Sequence, residues 1–583
     1  MDEHTEHSEA VPVGGHEEGF IRKWIFSLDH KIIGLQYMLT SLVFLLIGFS
    51  LILLIRWQLA FPGKAIPFIG KFLSDAIAPG GVMLPEFYNS LGAMHGTIMV
   101  FLGIVPLGVG AFGNYFLPLQ IGARDMAFPI LNMMSYWIYF VGGVLMLVSF
   151  VIPGGAAQSG WTSYAPLSVI SPGQTMWLVA MTFIITSSLF GAINFIVTTL
   201  NLRAPGLTWS RLPLFVWAQF VTSLLLLFAF PVLQAGAILQ LLDRVAHTSF
   251  FIPKGMVVGG QLIDRAGGGS ALLWQHLFWF LAHPEVYVLL LPEMGIVAEI
   301  IANGTRKPIF GYKEIAGSFC FIGVLSFMVW AHHMFVSGMK TSLSYLFMTT
   351  TMIISIPSVA ILTCFLLSLK GASIRFTVPM LFALAFLPMF GIGGLTGLPL
   401  GFTPTDIYLH DTYYVIGHFH YVVVTGSLIA LMGGIYYWFP KMFGKRMNMF
   451  WGKVHFWGTI LLMNGIFFPM FIQGLAGVQR RLYDPTAQAH NLVVQPTNVF
   501  MTFCAWGLLL IQIPFILNFF ISIFKGKRTE ENPWQATTLE WACPSPPLPH
   551  RNFEKAPTVH RGPYEYSVPG QTRDFLPQNV PNS

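Results

Sequence analysis

The chain has 583 residues, 54% of them hydrophobic and only 10% charged. Soluble domains carry about a quarter charged residues, so composition argues against a water-soluble globule, and a mean hydropathy of +0.65 agrees. The formal charge of +6 is small for this length, and without an arginine-rich face or a nucleic-acid motif it excludes a nucleic-acid-binding protein.

In chain order, residues 1–24 form a polar, acidic leader, MDEHTEHSEAVPVGGHEEGF onward. It lacks the basic-then-apolar order of a cleavable signal peptide, and its histidines read as solvated rather than metal-binding. A membrane-crossing helix needs about 20 mostly apolar residues. Twelve such segments follow, centred near residues 44, 106, 141, 188, 227, 290, 325, 358, 387, 426, 463 and 511. Lys and Arg gather in alternate connections such as LRAPGLTWSR, TRKPIFGYK and PKMFGKRMNMFWGK, whereas the opposite loop PGGAAQSGWTSYAPLSVISPGQ has neither. The positive-inside rule then predicts both termini in the cytoplasm. Residues 525–583 are a proline-rich tail expected to lie extended on that surface. The expectation is an all-α polytopic membrane protein with a twelve-helix core over 25–524, no repeat and no separate soluble domain. The four cysteines (Cys320, Cys364, Cys504, Cys543) make no CxxC pair or disulfide framework.

Polar residues at bilayer depth are costly and mark functional sites, and the histidines here fall into patterns. In LAHPEVYVLLLP, His283 and Tyr287 are four apart and share a helix face, with Glu285 between them on another side. In WAHHMF, His332 and His333 diverge by about 100° on an α-helix, yet imidazoles are long enough to converge on one ion. With His283 they make three nitrogen ligands and an open fourth position, which suits copper or zinc. In GHFHYV, His418 and His420 are about 200° apart and cannot share one metal, but could each serve a different heme. AMHGTIMVF supplies His95 as a second axial ligand.

These motifs resemble subunit I of the heme–copper oxygen reductases, the cytochrome c oxidase family, from SLDHKIIGLQY to NPWQATTLEWACPSPPLPH. The likeness is to type A members with a D-pathway glutamate. It implies twelve helices enclosing two hemes, expected as heme a and heme a3, and one copper. His283, His332 and His333 would hold copper B, His418 the high-spin heme, and His95 and His420 the low-spin heme. Tyr287 matches the tyrosine cross-linked to a copper-ligand histidine, supplying an electron and a proton as the O–O bond breaks. Arg480 and Arg481 in QRRLYDP match the heme propionate partners. Asp406 in TDIYLHD matches the carboxyl near them, His410 and Asp411 match magnesium ligands, and Arg56 matches the arginine at the low-spin heme's formyl group, a snorkelling arginine at a helix end being the alternative. The implied function is reduction of O2 to water with electrons from cytochrome c, coupled to proton uptake and pumping. The implied setting is a bacterial plasma membrane or a mitochondrial inner membrane. No binuclear copper motif occurs in the sequence, so that centre is expected on a partner subunit II, beside subunit III and possible small subunits.

Protons must reach the site through the membrane interior. Asp125 in GARDMAF, Asn114, Asn132, Ser187, Ser188 and Glu285 resemble the family's D-pathway, with Met133 where a second asparagine is common. The K-pathway is altered. In ISIPSVAILT, Ile361 stands at the lysine position and Ser358 keeps a hydroxyl, while Ala298 replaces the serine of the sixth segment. Counted as one continuous helix, eleven residues put Ala298 on the face of Tyr287, and Glu293 and Glu299 about 240° and 120° away. Water with Ser358 and a glutamate, Glu299 being the one near the cytoplasmic end, is the candidate substitute; the alternatives are an unpaired structural role for that glutamate and a D-pathway that carries more of the load. A quinol oxidase is disfavoured by Phe87, where that branch has a histidine. A nitric oxide reductase is disfavoured by Tyr287, Glu285 and Asp125 together. A cofactor-free transporter would show no heme spectrum.

Overall fold

The structure is a computed structural model, and residues 19–263 and 267–581 are described; most of the expected 1–24 leader lies outside them. The membrane body is a bundle of helices. Their order is α1 His30–Ala60, α2 Pro85–Ile121, α3 Pro129–Val148, α4 Gln174–Asn201, α5 Leu214–Val245, α6 Ala271–Val288, α7 Leu291–Thr305, α8 Tyr312–Leu325, α9 Thr341–Leu369, α10 Val378–Gly401, α11 Thr403–Leu409, α12 Tyr413–Phe443, α13 Met449–Leu475 and α14 Gln495–Lys525. Local chemistry fixes many of the ends. Asp29 caps α1, accepting from the Lys31 N–H at 2.9 Å, and the Thr377 and Asn448 side chains cap α10 and α13.

Among the described residues, ten helical stretches are long and apolar enough to cross a membrane. The two other expected crossings, near 290 and 325, are broken rather than continuous. The first stops at Val288 and restarts at Leu291. Pro292 has no N–H and its ring crowds the carbonyl four residues back, so the chain turns at Leu289 and Leu290. The Leu289 carbonyl, freed by the turn, accepts the Ser427 hydroxyl. The second leaves α-geometry after Leu325 and continues as tighter turns over Ser326–Met328 and Trp330–Met334. Two expectations that assumed continuous helices therefore fail. His332 and His333 sit in a 3₁₀ turn, and wheel angles carried from Tyr287 to Ala298, Glu293 or Glu299 do not survive the break.

Small residues let the helices approach closely, as membrane interfaces require. A Cβ on Gly110 of α2 would lie 2.7 Å from the Tyr37 ring of α1. Two stretches, Ile98–Gly113 of α2 and Val423–Leu428 of α12, include wide π-type turns. Such turns are rare and often border functional sites.

The C-terminal tail is tied down rather than loosely extended. Asp574 forms a two-bond ion pair with buried Arg306. Asn552 meets His30 and Lys31 at the start of α1, and Tyr564 reaches the start of α5.

Candidate metal and proton-transfer site

The breaks in α6–α7 and after α8 flank one large interior cavity of about 1340 Å³. Drug-sized ligands occupy about 300–1,000 Å³, so this volume suits something larger. His95, His283, His332, His333, His418 and His420 all line it, with Tyr287, Glu285 and Ser358.

His283, His332 and His333 can present nitrogens that lie within 4.8 Å of one another. His283 Nδ1 is 3.4 Å from His333 Nε2, and its Nε2 is buried without a partner. The rings are positioned by neighbours the sequence did not flag. His333 stacks on Trp279 at 3.8 Å and 11°, and His332 Nδ1 is 3.0 Å from the Thr351 hydroxyl. Tyr287 packs edge-on against His283 at 4.9 Å between ring centres. Within the 3₁₀ turn, the Trp279 stack and the Thr351 contact hold the two adjacent imidazoles beside His283.

The remaining three imidazoles share a different logic. In each, Nδ1 is engaged by a backbone carbonyl: Gly48 for His95 at 2.8 Å, Gly393 for His418 at 2.9 Å, and Ile416 for His420 at 2.8 Å. Such second-shell bonds fix ring orientation and leave Nε2 as the metal-binding atom. His418 and His420 project from opposite sides of α12, His418 against Gly397 of α10 and His420 against Phe467 of α13. These donors, the cavity volume and the unpartnered His283 nitrogen fit two porphyrins and one copper ion.

Charged groups cluster along one margin of the cavity. Arg480 Nε is buried without a hydrogen bond, its nearest carboxylate, Asp411, being 3.7 Å away. Burial and neighbouring Arg481 push the Arg480 guanidinium down to about 10. A buried guanidinium beside a cavity, with its Nε making no hydrogen bond, is suited to a carboxylate-bearing ligand. Arg481 holds a left-handed backbone at φ 69°. His410 Nδ1 is 3.2 Å from Asp406, and burial raises the Asp406 carboxyl above the ordinary range. Arg56 is not a snorkelling side chain. It is buried, donating to the Asn498 carbonyl at 2.8 Å and towards Thr502 at 3.3 Å.

The polar residues at the end of α2 and on α3 and α4 form a partial line. Asp125 sits in the loop after α2, and burial raises its carboxyl above the usual range. Asn114 and Asn132 are buried, both side-chain polar atoms of Asn132 lacking partners. Ser187 donates to the Ser135 carbonyl at 2.5 Å and lies 3.4 Å from the Tyr37 hydroxyl. The Ser188 hydroxyl donates to the Ile184 carbonyl of its own helix at 3.1 Å. Both carboxyl oxygens of Glu285 are buried and unpartnered. Sequence reasoning missed Tyr37, Ser135 and His30, whose Nδ1 is 2.7 Å from the Asn114 carbonyl. The seven-residue spacing of His30 and Tyr37 on α1 was the available signal.

The family model for Cytochrome C and Quinol oxidase polypeptide I matches residues 32–535. A cytochrome c oxidase subunit 1 of Synechocystis is 44% identical over 559 residues, covering 95% of both chains. The alternative cytochrome c oxidase subunit 1 of Bradyrhizobium diazoefficiens is 44% identical over 580 residues, 97% of this chain and 94% of that one. Cytochrome c oxidase subunit 1 of Cereibacter sphaeroides is 40% identical, covering 94% and 97%. A solved heme–copper terminal oxidase dimer matches with a TM-score of 0.66 and 18% identity, covering 86% of this chain and 85% of that one, a likeness of fold. The chain belongs to the cytochrome c and quinol oxidase polypeptide I family.

Proposed function

We infer that this chain is the catalytic subunit of a terminal respiratory oxidase that reduces O2 to water with electrons from cytochrome c. One observation carries the reading: six imidazoles from four segments converge on one cavity, three of them with nitrogens within 4.8 Å of one another. Twelve crossings are proposed, ten continuous and two broken, with both termini cytoplasmic and the 25–524 core between the two tails. The membrane is a bacterial plasma membrane or a mitochondrial inner membrane.

When bound, two hemes, proposed as heme a and heme a3, and copper B supply the electron transfer and the oxygen-binding metal pair. His95 and His420 would hold the low-spin heme, His418 the high-spin heme, and His283, His332 and His333 the copper. Arg480 and Arg481 would neutralise heme carboxylates, and Arg56 would face the low-spin heme's rim. His410 and Asp411 would hold Mg2+ near a subunit interface, with Asp406 orienting His410 through its 3.2 Å contact. Tyr287 holds a proton at its phenol oxygen beside the copper ligands. Asp125, Asn114, Asn132, Ser187 and Glu285 carry protons inward for chemistry and for pumping, and Ser358 offers a hydroxyl on the Tyr287 side. Subunit II with the binuclear copper centre, and subunit III, would complete the enzyme.

Metal analysis and a reduced-minus-oxidised spectrum of the purified complex, with oxygen uptake driven by cytochrome c or by quinol, test this reading. Folded protein without iron or copper would refute the site. Uptake driven only by quinol would refute the donor.

A further inference from the structure

Two carboxyls of the sixth crossing, Glu293 and Glu299, have no counterpart in the ligand set, and the structure separates their roles. Tyr564 of the tail donates to Glu299 Oε1 at 2.6 Å. The Leu214 N–H donates to the Tyr564 oxygen at 2.7 Å, and the Phe215 N–H approaches Glu299 Oε1 at 3.5 Å. Leu214 and Phe215 open α5, so this pair covers N–H groups that every helix start leaves unpaired. That capping role accounts for Glu299.

Glu293 also lies at a helix start, in the first turn of α7 just past the chain break, but it is 1% exposed and its Oε2 has no partner. The carboxyl packs on Gly108 of α2, with Oε1 2.5 Å from where a Cβ at that position would sit. The Gly108 carbonyl accepts from Gln219 of α5 at 2.8 Å. Gln219 Oε1 is also buried and unpartnered, and so is Thr222 Oγ1, three residues further along the same helix. Buried polar atoms with open valences are where internal waters reside. Meanwhile Ile361 and Ala298, the positions resembling the second proton route, are fully buried and offer no polar atom.

We propose that Glu293 is a proton-transfer residue that relays protons through internal water held by Gln219 and Thr222 towards Tyr287, in place of the missing lysine. The proposal rests on the oxidase reading above. For each electron entering the site, one proton leaves the Glu293 carboxyl for the water chain. A phenolate or an oxygen-derived base at the site accepts one proton, and the Glu293 carboxylate is reprotonated from the cytoplasmic side.

The test uses the whole purified complex with Glu293→Gln, Glu299→Gln, Ser358→Ala and Gly108→Ala. Stopped-flow spectroscopy follows reduction of the high-spin heme and, separately, oxidation of the fully reduced enzyme by O2. Redox-difference infrared spectroscopy in H2O and D2O follows protonated carboxyls. Glu293→Gln is expected to slow high-spin heme reduction by roughly a hundredfold, the low end of what one positioned proton-transfer group contributes. It should leave both heme spectra and the O2 phase intact and remove one D2O-sensitive carboxyl band. Glu299→Gln should reduce at the wild-type rate. Wild-type reduction in Glu293→Gln, or slowing confined to Ser358→Ala, would overturn the proposal. If Glu293→Gln loses its hemes, Gly108→Ala decides, because its methyl displaces the carboxyl without removing it, and a wild-type rate there also overturns the proposal. Hemes missing from the unaltered protein would instead sink the oxidase reading.

Discussion

Gly397→Ala is the sharpest probe of the proposed high-spin ligand. Gly397 lies on α10, and a Cβ there would sit 2.7 Å from His418 Cε1 and 3.4 Å from each ring nitrogen. Carbon atoms pack at about 3.5–4.0 Å, so the imidazole must retreat by about 1 Å. Its orientation rests on Nδ1 contacts to the Gly393 carbonyl at 2.9 Å and the Thr396 hydroxyl at 3.3 Å. Retreat breaks at least one of these, worth about 1 kcal/mol. Replacing an interior helical glycine with alanine returns up to about 1 kcal/mol of helix propensity, so the fold should persist. A displacement of about 1 Å at a reacting centre costs roughly a hundredfold in rate. The expected outcome is a loss of that order in turnover, with altered CO binding at the high-spin heme. The low-spin spectrum should be normal, because His95 and His420 lie on the other side of α12. Equal disturbance of both hemes, or wild-type turnover, would refute the assignment of His418.

The other predictions concern the copper ligands and the tail. His332→Asn should remove copper while retaining both hemes; wild-type copper content would refute that ligand set. Tyr564→Phe strands the Leu214 N–H and a Glu299 oxygen, each costing about 1–3 kcal/mol when buried and unpaired. In the tail, the Val559 amide donates to the Pro205 carbonyl at 2.8 Å and the Gln578 amide to the Thr537 carbonyl at 2.9 Å; their hydrogen exchange should then rise by at least about tenfold, and an unchanged exchange pattern would refute the capping role. The Arg306 hydrogen bonds hold the Asp574 carboxyl below its ordinary 3.8. A lowered carboxylate pKa contributes stability above that ordinary value, and the contribution disappears as pH falls through the folded value. Tail proteolysis should therefore be flat near neutrality and increase only below about pH 4, and Asp574→Asn should abolish that step. Because Asp574 is about half exposed, the effect should be small and should shrink with salt.

Much of the site was legible because its chemistry is bound to residue type. Histidines at lipid depth are rare and costly, so their spacing alone suggested a metal trio and separate heme ligands, and the structure gathers all six around one cavity. Geometry across a chain break was not legible. The eleven residues from Tyr287 to Ala298 count as about three turns only if the helix is continuous, and Pro292 ends that continuity. Contacts distant in sequence were hidden too. Glu299 read as a proton-route substitute or an unpaired structural residue until Tyr564, 265 residues later, closed on it. Arg56 read equally well as a snorkelling side chain until Asn498 and Thr502 of α14 enclosed it.

The two broken segments also account for why the site lies where it does. Backbone outside a helix is tolerated at membrane depth only where it is enclosed by protein or lines a cavity. The turn after Leu325 meets that condition, because its imidazoles face the cavity and the Thr350 hydroxyl donates to its Met328 carbonyl at 2.9 Å. The turn at Leu289 does so through Ser427. Each break gives up helical hydrogen bonds, and each is compensated by a hydroxyl from a neighbouring helix. What the turn after Leu325 gains is position: it sets His333 against Trp279 and His332 beside Thr351, with both rings next to His283. The break thus falls where the three imidazoles meet, inside a bundle of otherwise regular helices.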